Sequence, residues 1–291
     1  MQQSLAVLSI LLLQMLDVRP EQPQFENRVG DAYEVRLESI SETSGNGSSG
    51  HSRSAQTLVE RVIALHDGGI ELEFDLPEQA SPRDRARTWQ LPARVLKSSG
   101  RPLQLLNGSE LEMRVRAWLQ RGGMTQEACG RWLFTWTAIK IECDPESVLH
   151  MLEPFDLRLG DLYDGALHNE PSGRGRAPLR TGSLDSGGAT YAAEIEIDPD
   201  VVRRERAKMD VALAEISGKA PLALEVALQA REAERISGTI ATTLEVDSAG
   251  HVIRRRRITR VEIAGKAGSL ERQTTTVTVE RRIVSRYERH P

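Results

Sequence analysis

The chain has 291 residues, 39% of them hydrophobic, and a net charge of −4, which allows one large folded domain or two modest ones. Charged residues make up 27% and aromatic residues only 4%. The weakly acidic balance excludes a global field that would recruit polyanions, and the few aromatics disfavour a stacking surface for single-stranded nucleic acid. We therefore expect a globular protein that does not bind nucleic acid.

Residues 1–18 have the pattern of a signal peptide. The apolar run SLAVLSILLLQML at positions 4–16 has the length of a signal-peptide core and is too short to cross a bilayer comfortably. The alternative is a short buried helix, but the following DVRPEQPQFENR is typical of an extended spacer. Because no later segment reaches membrane-spanning length, we expect a periplasmic or secreted protein without a transmembrane helix in the mature chain.

The remaining chain predicts one β-rich domain over positions 30–288. AYEVRLESI alternates in the manner of a strand, whereas the Gly/Ser-rich positions 41–54 predict a flexible loop. Helical insertions interrupt the strands at about 108–153 and 198–232. Strands at both ends with helices between them indicate an α+β fold.

A hairpin is the clearest local prediction, over TLVERVIALHDGGIELEFDL. Asp67-Gly68 suits a two-residue turn in which both positions need positive φ. Closing the hairpin at this turn places Arg61 opposite Phe74 on the apolar face. A register shifted by one residue would mix apolar and polar side chains on each face. The turn and the alternation of the strands therefore predict the same pairing.

Helix boundaries follow from capping residues. Ser81 before Pro82 predicts a short helix to about position 88. SELEMRVRAWLQRGG predicts a longer one, with a capping box of Ser109 and Glu112 and a stop at Gly122.

Both cysteines, Cys129 and Cys143, lie in the stretch ACGRWLFTWTAIKIECDP. In an oxidising compartment two thiols usually pair, and this pair would close a loop of about 15 residues. Two buried free thiols are the alternative. A metal site is disfavoured because the two cysteines leave the tetrahedral shell half empty. A nucleophilic cysteine is disfavoured because only His150 lies close in sequence.

The acidic run FDLRLGDLYDGALHNE is a candidate calcium site. Its oxygen and imidazole ligands would be Asp156, Asp161, Asp164, His168 and Glu170. The spacing departs from the calcium-loop pattern, so capping and turn roles are favoured and no metal site is predicted.

The C-terminal half predicts a strand at 189–197, helices from Asp198 to about 231, and a three-strand meander. The meander covers approximately 235–247, 251–264 and 270–287, and it would pair Ile240 with Thr259 and Val246 with Ile253. The hairpin and the meander could together form one curved sheet.

Four consecutive arginines are the most conspicuous charge run: Arg254, Arg255, Arg256 and Arg257. In a strand, two of them point to each face, so a core cannot cover that stretch on either side. The functional interpretation is a binding site for a phosphate, lipid headgroup or glycan. The alternative is a solvated hairpin end, partly neutralised by Glu245 and Asp247.

Catalytic templates are largely missing. The sequence contains no G-x-S-x-G, H-E-x-x-H or Walker A pattern, and its six histidines are dispersed. We predict no catalytic residues and no cofactor. The alternative is a hydrolase of unrecognised type that uses His150, His168 and Asp164.

The chain has a signal-peptide-like start, followed by NRVGDAYEVRLES at 27–39, CGRWLFTW…IECDP at 129–145 and ERISGTI at 234–240. This combination resembles uncharacterised exported bacterial proteins. That resemblance implies no activity. The long antiparallel strands interleaved with helices are also similar to the unclosed half-barrel of periplasmic lipoprotein carriers, which line the barrel with apolar and aromatic side chains.

The sequence therefore predicts a non-catalytic exported envelope protein that binds a lipid, a glycan or a protein partner on a curved β-sheet. The alternatives are the hydrolase and a structural scaffold that contacts an anionic surface through the arginine run. The oligomeric state does not follow from the sequence.

Overall fold

The computed structural model describes residues 27–285 except positions 46, 135–137, 161, 185–186 and 266–267. The signal-like segment 1–18 lies outside these residues. The long strands are β1 (Ala32–Gly45), β2 (Ser48–His66), β3 (Gly69–Asp75), β11 (Ala189–Glu196), β12 (Arg235–Val246), β13 (Val252–Ala264) and β14 (Leu270–Ser285). The short strands are β4 (Ala93–Lys97), β5 (Gln104–Leu105), β6 (Trp132–Phe134), β7 (Ala138–Lys140), β8 (Leu167–Asn169), β9 (Arg176–Pro178) and β10 (Arg180–Ser183).

Ten of these strands form one antiparallel sheet in the order β10-β11-β12-β13-β14-β1-β2-β3-β4-β5. Two small sheets, β6-β7 and β8-β9, lie beside it. The α-helices are α1 (Pro82–Arg87), α2 (Gly108–Arg121), α3 (Ser147–Leu152), α4 (Pro199–Ile216) and α5 (Leu224–Ala230). The expected α+β class is confirmed, and the hairpin and the meander belong to a single sheet.

The two ends of the described chain join that sheet. β1 lies between β2 and β14 and is antiparallel to both. Its Val35 pairs with Leu58 on one side and with Arg281 on the other. This pairing of the first strand with the last connects the N-terminal hairpin to the C-terminal meander.

The register predicted for the β2-β3 hairpin is correct only near its turn. The ladder shifts by one residue around Ile63, so Glu60 lies opposite Phe74 and Arg61 lies opposite Glu73. Because one extra residue moves every following side chain to the other face, Arg61 leaves the apolar face and Glu60 enters it.

The expected loop at positions 41–54 is instead regular strand at 41–45 and 48–54. β1 continues to Gly45 and β2 begins at Ser48, with Gly45 and Ser48 paired at the end of the hairpin. β14 runs along the other side of β1 over the same length. Pairing on both sides of β1 gives backbone hydrogen bonds to a segment whose Gly/Ser composition alone does not favour a strand.

The meander register agrees with the prediction over most of its length. Ile240 pairs with Thr259 as expected. The turn end differs, because a shift next to Glu245 pairs Val246 with Val252 rather than with Ile253. The displacement is again one residue and is confined to the last pair.

Two predicted helix starts are confirmed, since the side chains of Ser81 and Asp198 accept hydrogen bonds from backbone N–H groups in the first turns of α1 and α4. The capping box predicted for Ser109 is wrong, because α2 starts after Asn107. The Asn107 side chain instead accepts from the Arg94 N–H at 2.9 Å and so holds α2 against β4. No helix within the described residues is long and apolar enough to cross a membrane.

We call the face of the sheet that carries the hydrophobic core the inner face. Its main cluster joins strand residues such as Val35, Leu72 and Leu244 to Leu111 of α2 and Leu152 of α3. A second cluster near α4 is centred on Ile236, Ile240, Val261 and Ile263. Helices and loops therefore cover the inner face in two separate places.

The two cysteines form a disulfide, as the sequence favours. Cys129 and Cys143 have a Cα–Cα distance of 5.6 Å, and they bracket the β6-β7 hairpin from both sides. Within that bracket the Gly130 N–H donates to the Ile141 carbonyl at 2.7 Å. The bridge thus closes a short β-unit inside the first helical insertion.

Replacing both cysteines by serine should lower the free energy of unfolding by about 3 kcal/mol, because the bridge restricts a loop of about 15 residues in the unfolded chain. Urea denaturation of the wild type and the double variant, each with and without dithiothreitol, measures this. Reductant should affect only the wild type. An unchanged midpoint on reduction would contradict the assignment of the bridge as a stabilising constraint.

Candidate functional site

The arginine run does not form one cationic patch. As strand alternation requires, Arg254 and Arg256 lie on the outer face, and Arg255 and Arg257 lie on the inner face. Arg254 is held between two carboxylates, with distances of 3.1 Å to Glu245 and 2.9 Å to Glu280.

The two arginines of the inner face contact other parts of the protein. Arg255 donates to the Pro154 carbonyl at 2.5 Å and to the Asp156 carbonyl at 3.3 Å, and its burial lowers its pKa. Arg257 lies 3.5 Å from Glu170. Only Arg256 is exposed, so the four guanidinium groups are divided among different partners instead of converging on one anion.

The acidic run is likewise distributed. Asp156 pairs with Lys97 at 2.5 Å, and Asp164 accepts from the Thr181 N–H at 3.0 Å. Asp161 lies outside the described residues. Among the residues that the structure describes, no group of three His, Cys, Asp or Glu side chains could hold a metal ion.

Glu170 is the centre of a small buried cluster. Its Oε1 lies 2.9 Å from His168 Nε2 and 2.5 Å from the Thr242 hydroxyl. Burial alone would raise the pKa of Glu170, but these hydrogen bonds and the charge of Arg257 lower it overall. A catalytic triad needs the imidazole between hydroxyl and carboxylate, and here the carboxylate lies between the other two.

The other hydrolase candidates are not part of this cluster. His150 is exposed on α3, and exposed Asp164 caps the start of β10 through its bond to the Thr181 backbone. The structure therefore does not bring the predicted histidines and aspartate together into a nucleophile–base–acid arrangement.

Sequence reasoning missed a buried ion triad. Glu60 of β2 is 1% exposed, and its Oε1 accepts from Arg158 Nη2 at 2.5 Å and from Arg281 Nη2 at 2.6 Å. The Arg281 guanidinium also stacks on the ring of Tyr33 at 3.5 Å from the centroid. The only sequence signal is Arg281 at an inward position between Val279 and Ile283.

The electrostatics of the triad follow from burial and pairing. Burial alone would raise the pKa of Glu60, but the charges and hydrogen bonds of Arg158 and Arg281 hold it below its ordinary value of 4.5. Burial lowers the pKa of Arg281, and Glu60 offsets part of this effect. Burial raises the pKa of Tyr33 despite the nearby arginine. Glu60 is thus ionised in the folded protein at neutral pH.

The inner face also has a neutral polar region, which we call the polar block. It lies beyond the apolar rows, at the β1-β2 hairpin end of four adjacent strands. Its members are Ser39, Ser41 and Thr43 of β1, Ser52, Ser54 and Gln56 of β2, Thr259 of β13, and Gln273 and Thr275 of β14.

The polar block is accessible. The three β2 members are exposed, and the others in β1 and β14 are half-buried. Ser41 lies 3.3 Å from the Thr275 hydroxyl, and Gln273 donates weakly to Ser41 at 3.4 Å. These long contacts leave hydroxyl and amide groups with capacity for further hydrogen bonds.

No protein-family model matches the chain, and no curated protein matches it. Among solved structures, the ywiB protein from Bacillus subtilis is 8% identical over 84% of this chain and 91% of that chain, with a TM-score of 0.15. Ail, the attachment invasion locus protein of Yersinia pestis, is 4% identical over 88% and 100%, with a TM-score of 0.14.

A conserved protein of unknown function with a hot dog fold from Alicyclobacillus acidocaldarius is 13% identical over 89% of this chain and 81% of that chain, with a TM-score of 0.11. TM-scores at this level show no shared fold, so the function must be argued from the geometry.

Substituting Glu60→Gln should destabilise the protein by roughly 3–5 kcal/mol at pH 7, because two buried arginines lose their shared counter-ion. Since the pKa of Glu60 is lowered on folding, its stabilising effect is complete above the unfolded pKa of about 4.5 and is lost as the pH falls through the lower folded value. The gap between wild type and variant should therefore narrow in acid.

Chemical denaturation from pH 7 to pH 3 measures this gap. Glu38→Gln is the matched control, because Glu38 pairs with the largely exposed Arg53 and should change stability by less than about 1 kcal/mol. Equal losses in the two variants, or a gap that is independent of pH, would contradict the triad's assigned role.

Proposed function

We propose that this protein is a non-catalytic exported binding protein and that its polar block contacts a glycan. The observation that carries the proposal is the block itself, an accessible array of hydroxyl and amide side chains on four paired strands. Such groups both donate and accept hydrogen bonds and so complement sugar hydroxyls. Their positions are fixed by the strand ladder, which reduces the ordering cost of binding.

A lipid fits this region less well. The apolar positions of the inner face are filled by side chains from α2, α3 and α4 and their neighbouring loops. A lipid site needs a largely apolar cavity, and the polar block has hydroxyl and amide groups instead.

A protein partner is also less favoured. Central parts of protein interfaces are enriched in aromatic residues, Met and Arg. The nine members of the polar block include none of these residue types.

The expected affinity is low. With about four hydrogen bonds, each contributing about 1 kcal/mol net, the dissociation constant would be about 1 mM. Binding of physiological strength would then depend on a polymeric glycan that offers repeated contacts.

The disulfide supports the compartment part of the proposal. Such bridges persist in oxidising environments and are rare in a reducing cytosol. A periplasmic or secreted location places the protein where surface glycans occur.

Thr275→Leu should weaken glycan binding by roughly fivefold or more, because it replaces a central hydroxyl with an apolar group. Thr276→Leu is the matched control, since Thr276 is the next residue on β14 and lies on the outer face. Protein displayed multivalently is tested on an array of polysaccharides, and hits are titrated by NMR. The proposal fails if no glycan binds or if both variants lose binding equally.

A further inference from the structure

A second polar region lies at the other end of the same strands. A cleft of about 250 Å³ opens where β1 begins, β13 begins and β14 ends. Its polar lining consists of Arg28, Asp31, Tyr33, Asp247, His251 and Arg281. Tyr33 and Ser39 are six residues apart on β1, so the cleft is roughly 20 Å from the polar block at about 3.3 Å per residue. Binding here is independent of the proposed glycan surface.

Arg281 is the decisive residue of this cleft. It is 8% exposed and lines the cleft, and one of its Nη atoms is already bound to Glu60. Its Nε is buried and has no hydrogen-bond partner among the described residues. A buried N–H of a charged group without a partner is costly, so the Arg281 guanidinium would be stabilised by an acceptor on the side that lines the cleft.

The charge balance points to the same chemistry. Arg158 and Arg281 share one counter-ion, Glu60, so the three side chains carry a net charge of +1. Water is largely excluded from this triad, which makes the surplus charge expensive and an incoming anion favourable. An oxygen anion is the natural partner of a guanidinium N–H.

The other lining residues and the volume of the cleft restrict the chemical groups and the size of a ligand. Asp31 and Asp247 accept hydrogen bonds, so a ligand that enters the cleft can place a hydroxyl or ammonium donor against them. The volume restricts the occupant to a small molecule. We propose that this cleft binds a small ligand whose carboxylate or phosphate group contacts Arg281 and whose donor groups face the two aspartates.

Sodium acetate and inorganic phosphate serve as probes for the two oxyanion classes, with sodium chloride at equal ionic strength as the reference. Either probe should raise the melting temperature of the full chain above the chloride reference, with a saturable concentration dependence. The more effective probe distinguishes a carboxylate ligand from a phosphate ligand. No rise above chloride with either probe would overturn the proposal.

Ala249→Trp tests the location without touching the triad, because Ala249 lines the cleft from the exposed β12-β13 turn. It should raise the half-saturating concentration roughly tenfold or more by filling the cleft. Ser248→Trp is the matched control, since Ser248 is exposed in the same turn and does not line the cleft. A response that survives in Ala249→Trp would show general salt stabilisation of the fold and overturn the site.

Arg281→Lys provides a second arm. It keeps the positive charge and removes the Nε–H, so the response to the better probe should weaken at unchanged ionic strength. An undiminished response in a folded Arg281→Lys variant would contradict the assigned role of Arg281. If that variant does not fold, the Ala249→Trp comparison alone decides.

Discussion

The ionised carboxylate of Glu60 is the contact on which the arrangement of this molecule depends. It lies on β2 and is bonded to Arg281 on β14 and to Arg158 in the segment after α3. These two arginines reach it from a strand two positions away in the sheet and from the layer that covers the inner face. Because the triad is buried, its partners cannot separate without leaving a buried charge unpaired. It therefore fixes how the sheet and its covering layer meet.

The inner face has three environments along the central strands. The triad and its cleft lie near Tyr33, the apolar rows around Val35 and Val279 form the core, and the polar block follows beyond Leu37. Covering elements lie over the apolar rows, where burial contributes most to stability. Both proposed binding regions are at the ends of the strands, where the inner face is no longer apolar. The apolar core thus lies in the middle of the strands, and the two proposed binding regions lie at their ends.

Particular residues show how far sequence reasoning extends. The meander register, the α4 start at Asp198 and the Cys129–Cys143 bridge follow from local patterns that the fold respects. The inward position of Glu60 could not be predicted, because this part of β2 has apolar residues at both even and odd positions. If Leu58 and Val62 face the core, Glu60 faces it as well, whereas core-facing Val59 and Ile63 would place Glu60 on the outer face. Only the bulge at Ile63 decides between them. Pairing of β1 with β14 over positions 41–45 joins residues that are far apart in the chain, so local composition does not predict it.

A double-mutant cycle between Glu60 and Arg281 measures directly whether these two buried side chains stabilise each other. Urea denaturation at pH 7 would compare the wild type, Glu60→Gln, Arg281→Gln and the double variant. If the carboxylate and the guanidinium stabilise each other in a dry environment, the coupling free energy should be about 2 kcal/mol or more. Losses that add to within about 0.5 kcal/mol would show that the two side chains act independently and that Glu60 does not fix how the sheet and its covering layer meet.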